Sequence, residues 1–213
     1  MTPETSRGGI MKIASCLIMA LVFCLGGFLR ADVSYENPTQ DAEIQEWNPD
    51  ENYGSEDHFN AGFVTAFIGW LMEFDLTEYE GADVNSAILA MYCVNNTGEM
   101  RELIAFRLNS SWSESTVTYG NRPYTNTDLS VTFTPEGIDQ WIQVDITEIV
   151  QSWLDGSFTN NGLSFGPTET LPPGEVKFWS KEYSNSSLHP VLQIDYELSS
   201  LETTTFGRIK TLF

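Results

Sequence analysis

Short apolar or alternating runs recur along this chain, separated by clusters of Gly, Pro, Asn and Asp. DAEIQEW (41–47), HFNAGFVT (58–65), AFIGWLMEFDL (66–76), AILAMYCV (87–94) and ELIAFRL (102–108) read as strands, as do SVTF (130–133), WIQVDI (141–146), GLSFG (162–166), VKFWSKE (176–182) and PVLQIDYEL (190–198). In WLMEFDL the apolar positions Trp70, Met72, Phe74 and Leu76 alternate with Glu73 and Asp75, the period of a sheet with one buried face. LAMYCV is apolar on both faces, which places that strand in the middle of the assembly. The pattern predicts an all-β fold, a two-sheet jelly-roll-like β-sandwich.

One segment changes period. In DITEIVQSWLDG (145–156), Ile146, Ile149, Val150, Trp153 and Leu154 fall three and four apart. Asp145 with Glu148 makes a capping pair and Gly156 a stop, so a short helix packed against the sandwich is expected, with Trp153 as a core plug.

The two ends read differently. Residues 1–31 carry a lysine, an apolar run from Ile13 to Phe28 and a small residue at Ala31, the pattern of a cleaved secretory signal, with Met11 as the expected start. The run is shorter than the roughly 20 residues of a spanning helix. A single domain is expected over 32–198, and 199–213 reads as a tail with a sorting role or none. The expected location is therefore secreted or cell-surface. Only Cys93 of the three cysteines lies beyond the signal, so no intrachain disulfide is possible in the mature chain.

Charge narrows the partners. The chain carries 30 acidic and 10 basic residues, net −20, and nine acids with no base lie between Asp32 and Asp57. Such a surface argues against nucleic acid and anionic membrane. His58 and His189 sit in no metal-ligand spacing, and no phosphate loop, nucleophile elbow or zinc motif is present, so no catalytic residue is assigned. Hard oxygen donors are plentiful; the plain reading of these acids is solvated surface charge, and no cofactor is assigned beyond a structural calcium as the one candidate. Asp50, Glu51, Glu56 and Asp57 around Gly54 are one candidate set; Asp41 and Glu43, pairing with Asp195 on the last strand, are the other.

NPDENYGS (48–55), LMEFDL (71–76), NSAILAMY (85–92), WSESTVTYGNRP (112–123), WIQVDITEIVQSWLDG (141–156), NNGLSFGP (160–167) and VKFWSKEYSN through PVLQIDY (ending at Tyr196) form a series. In order and spacing the series resembles the DNRLRE domain, also described as carbohydrate-binding module family 96 and related to disaggregatase repeats. The resemblance implies a secreted β-sandwich without catalytic apparatus, some of whose relatives bind acidic polysaccharides such as alginate. This chain departs from that precedent in having few Lys and Arg, so a neutral glycan, or an acidic one bridged by calcium, fits better.

The expected partner is a polysaccharide or cell-surface glycan, with surface proteins as a further possibility. In SWSESTVTYGNRPY (111–124), the structural reading makes Trp112 a strand-leading core residue and Asn121-Arg122-Pro123 a fixed turn; the functional one turns Trp112, Tyr119 and Tyr124 toward sugar rings. Trp47 in EWNPD and Trp179 beside Lys181 are the preferred platforms, Arg122 and Lys181 the polar contacts, with Tyr119 as a further ligand residue. A structural or adhesive envelope protein without a small ligand is the alternative reading.

Overall fold

The structure is a computed structural model that describes residues 31–97, 102–168 and 173–198. The expected signal, apart from Ala31, and the tail 199–213 lie outside the described residues. The strands are β1 (Ala31–Glu36), β2 (Gln40–Gln45), β3 (His58–Phe63), β4 (Phe67–Glu73), β5 (Ala82–Thr97), β6 (Leu103–Leu108), β7 (Thr125–Phe133), β8 (Gln140–Asp145), β9 (Leu163–Pro167), β10 (Gly174–Trp179) and β11 (Val191–Leu198). Among the described residues one α-helix, α1 (Thr147–Leu154), lies between β8 and β9, with short 3-10 turns at Thr77–Tyr79 and Ser186–Leu188.

All the ladders are antiparallel. The order is β1-β11-β5-β10-β3-β4-β9-β6-β7, with β2 on β4 and β8 on β5. The fold is therefore all-β and sandwich-like, built from one continuous hydrogen-bonded path that curls over a core. Two long junctions make the curl. Strand β5, expected at the centre from its two apolar faces, pairs with β11, β8 and β10 at successive stretches. Strand β4 pairs with β2 along Ile68–Glu73, with β3 at its start and with β9 through Trp70–Met72.

Inside the curl, Trp70 of β4 is the hub. Its ring stacks on Phe165 of β9 (4.4 Å, 4°) and on Phe59 of β3 (4.6 Å, 20°), with Phe178 of β10 tilted against it at 5.4 Å. Four strands thus meet on one indole, whose side chain is fully buried. The period-two alternation holds here: Met72 and Phe74 follow Trp70 into the same core.

The helix forms where its period predicts, and Ile149, Val150, Trp153 and Leu154 are its buried residues. Its start differs from expectation. Ile146 is the N-cap, and Asp145 Oδ1 accepts the N–H and O–H of Thr147 instead of capping with Glu148. Gly156, at φ 76°, ends the helix in the left-handed region that favours glycine. Strand β1 is a further departure, because ADVSYE was not read as a strand: it is an edge strand on β11, with Val33 and Tyr35 exposed.

A second, smaller core lies on the other side of β2 and β4. There Ala42, Ile44, Leu71, Leu108 and Val117 pack with Phe67, Trp112 and Tyr119. Residues 109–124, the connection between β6 and β7, supply three of these and cover that face.

Replacing Trp70 by Ala should cost about 3–5 kcal/mol, the range for large aromatic truncations in a packed core. Urea unfolding of the variant measures it; a loss below about 1 kcal/mol would show that the four strands do not depend on this indole.

Candidate glycan-binding groove and carboxylate cluster

Two features are built on the 109–124 connection. A loop of this length without regular structure must find partners for its backbone groups. Asn52 supplies two, its Nδ2 donating to the Glu114 carbonyl (2.7 Å) and the Val117 carbonyl (2.6 Å). Gly120 N–H donates to the Pro49 carbonyl (2.7 Å), and Gln40 Oε1 accepts from Glu114 N (3.0 Å). Gly54 lets the 48–55 segment come this close, since a Cβ there would sit 2.3 Å from the Glu114 carbonyl oxygen. Asn121 closes the turn, its Oδ1 accepting from Thr118 N and its Nδ2 donating to the Thr116 carbonyl. The two landmarks NPDENYGS and WSESTVTYGNRP are thus one interlocked unit. Trp112 stands outside any strand, half-buried on the second core, with its indole N–H donating to the Asn161 carbonyl.

Beside this loop runs a groove of about 430 Å³ over the outer faces of β6 and β9. Its floor is apolar. Ile104 and Phe106 point outward from β6, between the inward Leu103 and Ala105, and the Phe67 ring covers Gly69 and Gly166. A Cβ on Gly166 would lie 2.6 Å from that ring, so glycine here is what lets the phenylalanine lie against the sheet. The wall is Tyr119, Arg122 and Tyr124. Tyr119 packs on Phe67 at 6.0 Å, and the Arg122 guanidinium lies 3.6 Å over the Tyr119 ring while donating to the Tyr119 carbonyl. Tyr124 is 85% exposed. Among the described residues no acidic side chain lines the groove, and Arg122 is the one charged residue that does.

The other feature is a cluster of carboxylates. Asp41, Glu114 and Glu182 bring oxygens within 4.8 Å of one another. Asp41 is buried at the start of β2; Glu114 Oε1 accepts its N–H (2.8 Å), and Asp41 Oδ2 accepts from Lys181 N (3.0 Å). The Lys181 ammonium pairs with Glu114 (2.8 Å) and with Glu182. Burial pushes the Asp41 carboxyl up to about 8, and the neighbouring Glu182 charge adds to the shift. Glu182 Oε2 is buried without a hydrogen-bond partner.

The residues singled out from the sequence divide between these features. Tyr119 and Arg122 come together in the groove, Asp41 and Lys181 in the cluster. Trp179 lies outside the groove, half-buried and stacked on Tyr183 (3.8 Å, 2°), so one of its faces is covered. Trp47 is 42% exposed on the loop after β2. Glu43 is buried apart from the cluster, accepting from Asn60 N and Nδ2. Asp57 pairs with His58, while Glu56 and Asp57 meet Ser180 through their backbone carbonyls. Asp50 is exposed.

Asp195 does not pair with Asp41 or Glu43, as had been expected. It lies on β11 between β1 and β5, where it accepts from Asn85, whereas β2 pairs with β4. Phe67, Phe106, Glu114 and Glu182 are the residues the sequence reading missed. The signal for Phe106 was present: ELIAFRL is apolar at outward as well as inward positions. Cys93 is buried and its thiol pushed up to about 11 by that burial, so it is a packing residue. Among the described residues, no helix is long and apolar enough to cross a membrane.

A comparison with curated proteins gives no match. The model of carbohydrate-binding module family 96 matches residues 32–196, well over half of the chain and all of the strands from β2 to β10. The interlocked loops, the groove and the cluster all lie inside that span, and the chain belongs to carbohydrate-binding module family 96.

Proposed function

We propose that the protein is a non-catalytic module, secreted or held at a cell surface, that binds a polysaccharide chain in the groove beside the 109–124 loop. Tyr124 carries this reading. Leaving a large aromatic side chain in water forgoes about 1.5–3 kcal/mol of burial, and Tyr124 stands exposed over a floor already lined by Phe67 and Phe106. Sugar rings offer C–H faces that match such aromatic surfaces, and their hydroxyls match the free N–H groups of Arg122 and the Ser164 hydroxyl. Glycoside hydrolysis needs a pair of carboxyl groups flanking the scissile bond, and the described residues that line the groove include none. Its near-neutral lining suits a neutral glycan, with Arg122 able to meet an occasional uronate.

Binding is read on a panel of neutral and uronate oligosaccharides by array and titration calorimetry. Tyr124→Ala should weaken the positive ligands by about tenfold or more while leaving the melting temperature unchanged. Trp47→Ala and Trp179→Ala should leave affinity intact. Silence across the panel would favour an envelope protein without a small ligand.

For a cation, we propose a calcium site formed by Asp41, Glu114 and Glu182. The supporting observation is a charge deficit: one ammonium, Lys181, faces three carboxylates, and one buried oxygen of Glu182 lacks a partner. A divalent ion supplies the missing charge to hard oxygen donors. Without it, a proton on Asp41 does so.

The sign of the pH dependence follows. A carboxyl raised from 3.8 to about 8 on folding binds its proton more tightly in the folded state. Its contribution to stability is therefore full below the unfolded value and is lost as pH rises through about 8. Chelated protein should lose melting temperature over that window, Asp41→Asn should flatten the slope, and calcium should restore stability most at the alkaline end. Calorimetry that shows no calcium effect at any pH would leave Lys181 and the proton as the only counter-charges.

A further inference from the structure

A second cleft lies on another part of the surface, where α1 and the segment after it face the end of β4 and the turn that follows. Its volume is about 930 Å³, within the size range of ligand sites. Phe74, Trp153 and Phe158 give it apolar walls. Phe158 is 41% exposed, and the Arg107 guanidinium packed 3.3 Å from its ring centre holds it in place from one side. Trp153 is 6% exposed and its indole N–H has no hydrogen-bond partner. Buried polar groups of this kind normally find one.

The charge of this cleft is opposite to that of the groove. Glu73, Asp75, Glu80 and Asp155 line it, and among the described residues no Lys, Arg or His does. Asp75 and Asp155 are held below the usual carboxylate range by hydrogen bonds from Thr77 and Ser157, so both are ionised. Arg107 is itself buried behind Phe158, donating to Ser152, and does not line the cleft. Several like charges around an apolar-walled concavity focus a negative potential there.

We propose that this cleft is a second binding site, for a glycan carrying protonated amino groups, such as a glucosamine oligomer. The sugar faces meet the exposed ring of Phe158, and the ammonium groups meet the four carboxylates. The charge complementarity selects the amino form over the N-acetylated one, which has the same ring but no charge. The site is independent of the groove at Tyr124.

The test is calorimetric titration of the full chain with a glucosamine oligomer and with its N-acetylated counterpart, at low and at high salt. The amino oligomer should bind at least about tenfold more tightly than the acetylated one, and raising salt to about 1 M should remove most of that difference. Glu73→Gln with Glu80→Gln should abolish the preference, and Phe158→Ala should weaken both oligomers, whereas Tyr124→Ala should change neither. Should the double variant fail to fold, Glu80→Gln alone, at an exposed position, gives the same reading with a smaller loss. Equal affinity for the two oligomers, no binding of the amino oligomer, or a preference untouched by the carboxamide substitutions would overturn the proposal. Loss of amino-glycan binding in Tyr124→Ala would do so too, by moving that ligand to the groove.

Discussion

The docking of residues 109–124 onto the 48–55 segment and β2 is the constraint on which both candidate sites depend. A long irregular connection would ordinarily be the least ordered part of a β-protein, because its backbone groups have no ladder to join. Here Asn52, Pro49 and Gln40 take those groups up, and Gly54 gives the close approach they need. With the loop fixed, Val117, Trp112 and Tyr119 can bury the outward side of Ala42 and Ile44. The same contact sets Tyr119 and Arg122 as the groove wall and delivers Glu114 to Asp41.

That arrangement separates two kinds of chemistry that the composition mixes. A chain with three times as many acids as bases would present an acidic field almost anywhere. The groove escapes it because its wall and floor come from aromatic residues and glycine-bearing strand, with one arginine. Glu114, which the loop brings inward, is instead gathered with Asp41 and Glu182 around Lys181, where burial makes their charge costly and a counter-charge necessary. Function on this fold is then a matter of which surface of the curled sheet is left uncovered, and by which side chains.

The sequence made the framework legible because strands and helix have periods. Trp70, Met72 and Phe74 announced a buried face, and Ile149, Val150, Trp153 and Leu154 announced the helix. Strand β1 was missed because Val33 and Tyr35 alternate with polar residues on an exposed edge, beside the expected signal, where no apolar run marks it. The sites were legible only in fragments. Asp41, Glu114 and Glu182 stand far apart along the chain, and only the docked loop and the turn after β10 bring them together. Trp179 looked accessible among polar neighbours, yet Tyr183, four residues on, folds back to cover its face. Gly166 gave no hint that its missing side chain makes room for Phe67.

The most direct test of the central claim, that the loop-built groove is where glycan binds, is amide chemical-shift mapping of isotope-labelled protein titrated with neutral and uronate oligosaccharides. Perturbations confined to Tyr119–Thr125, Ile104–Phe106 and Ser164–Gly166 are the predicted result. Perturbations centred on Trp47, on Trp179 and Lys181, or on the exposed edge of β1 and β11 would contradict it.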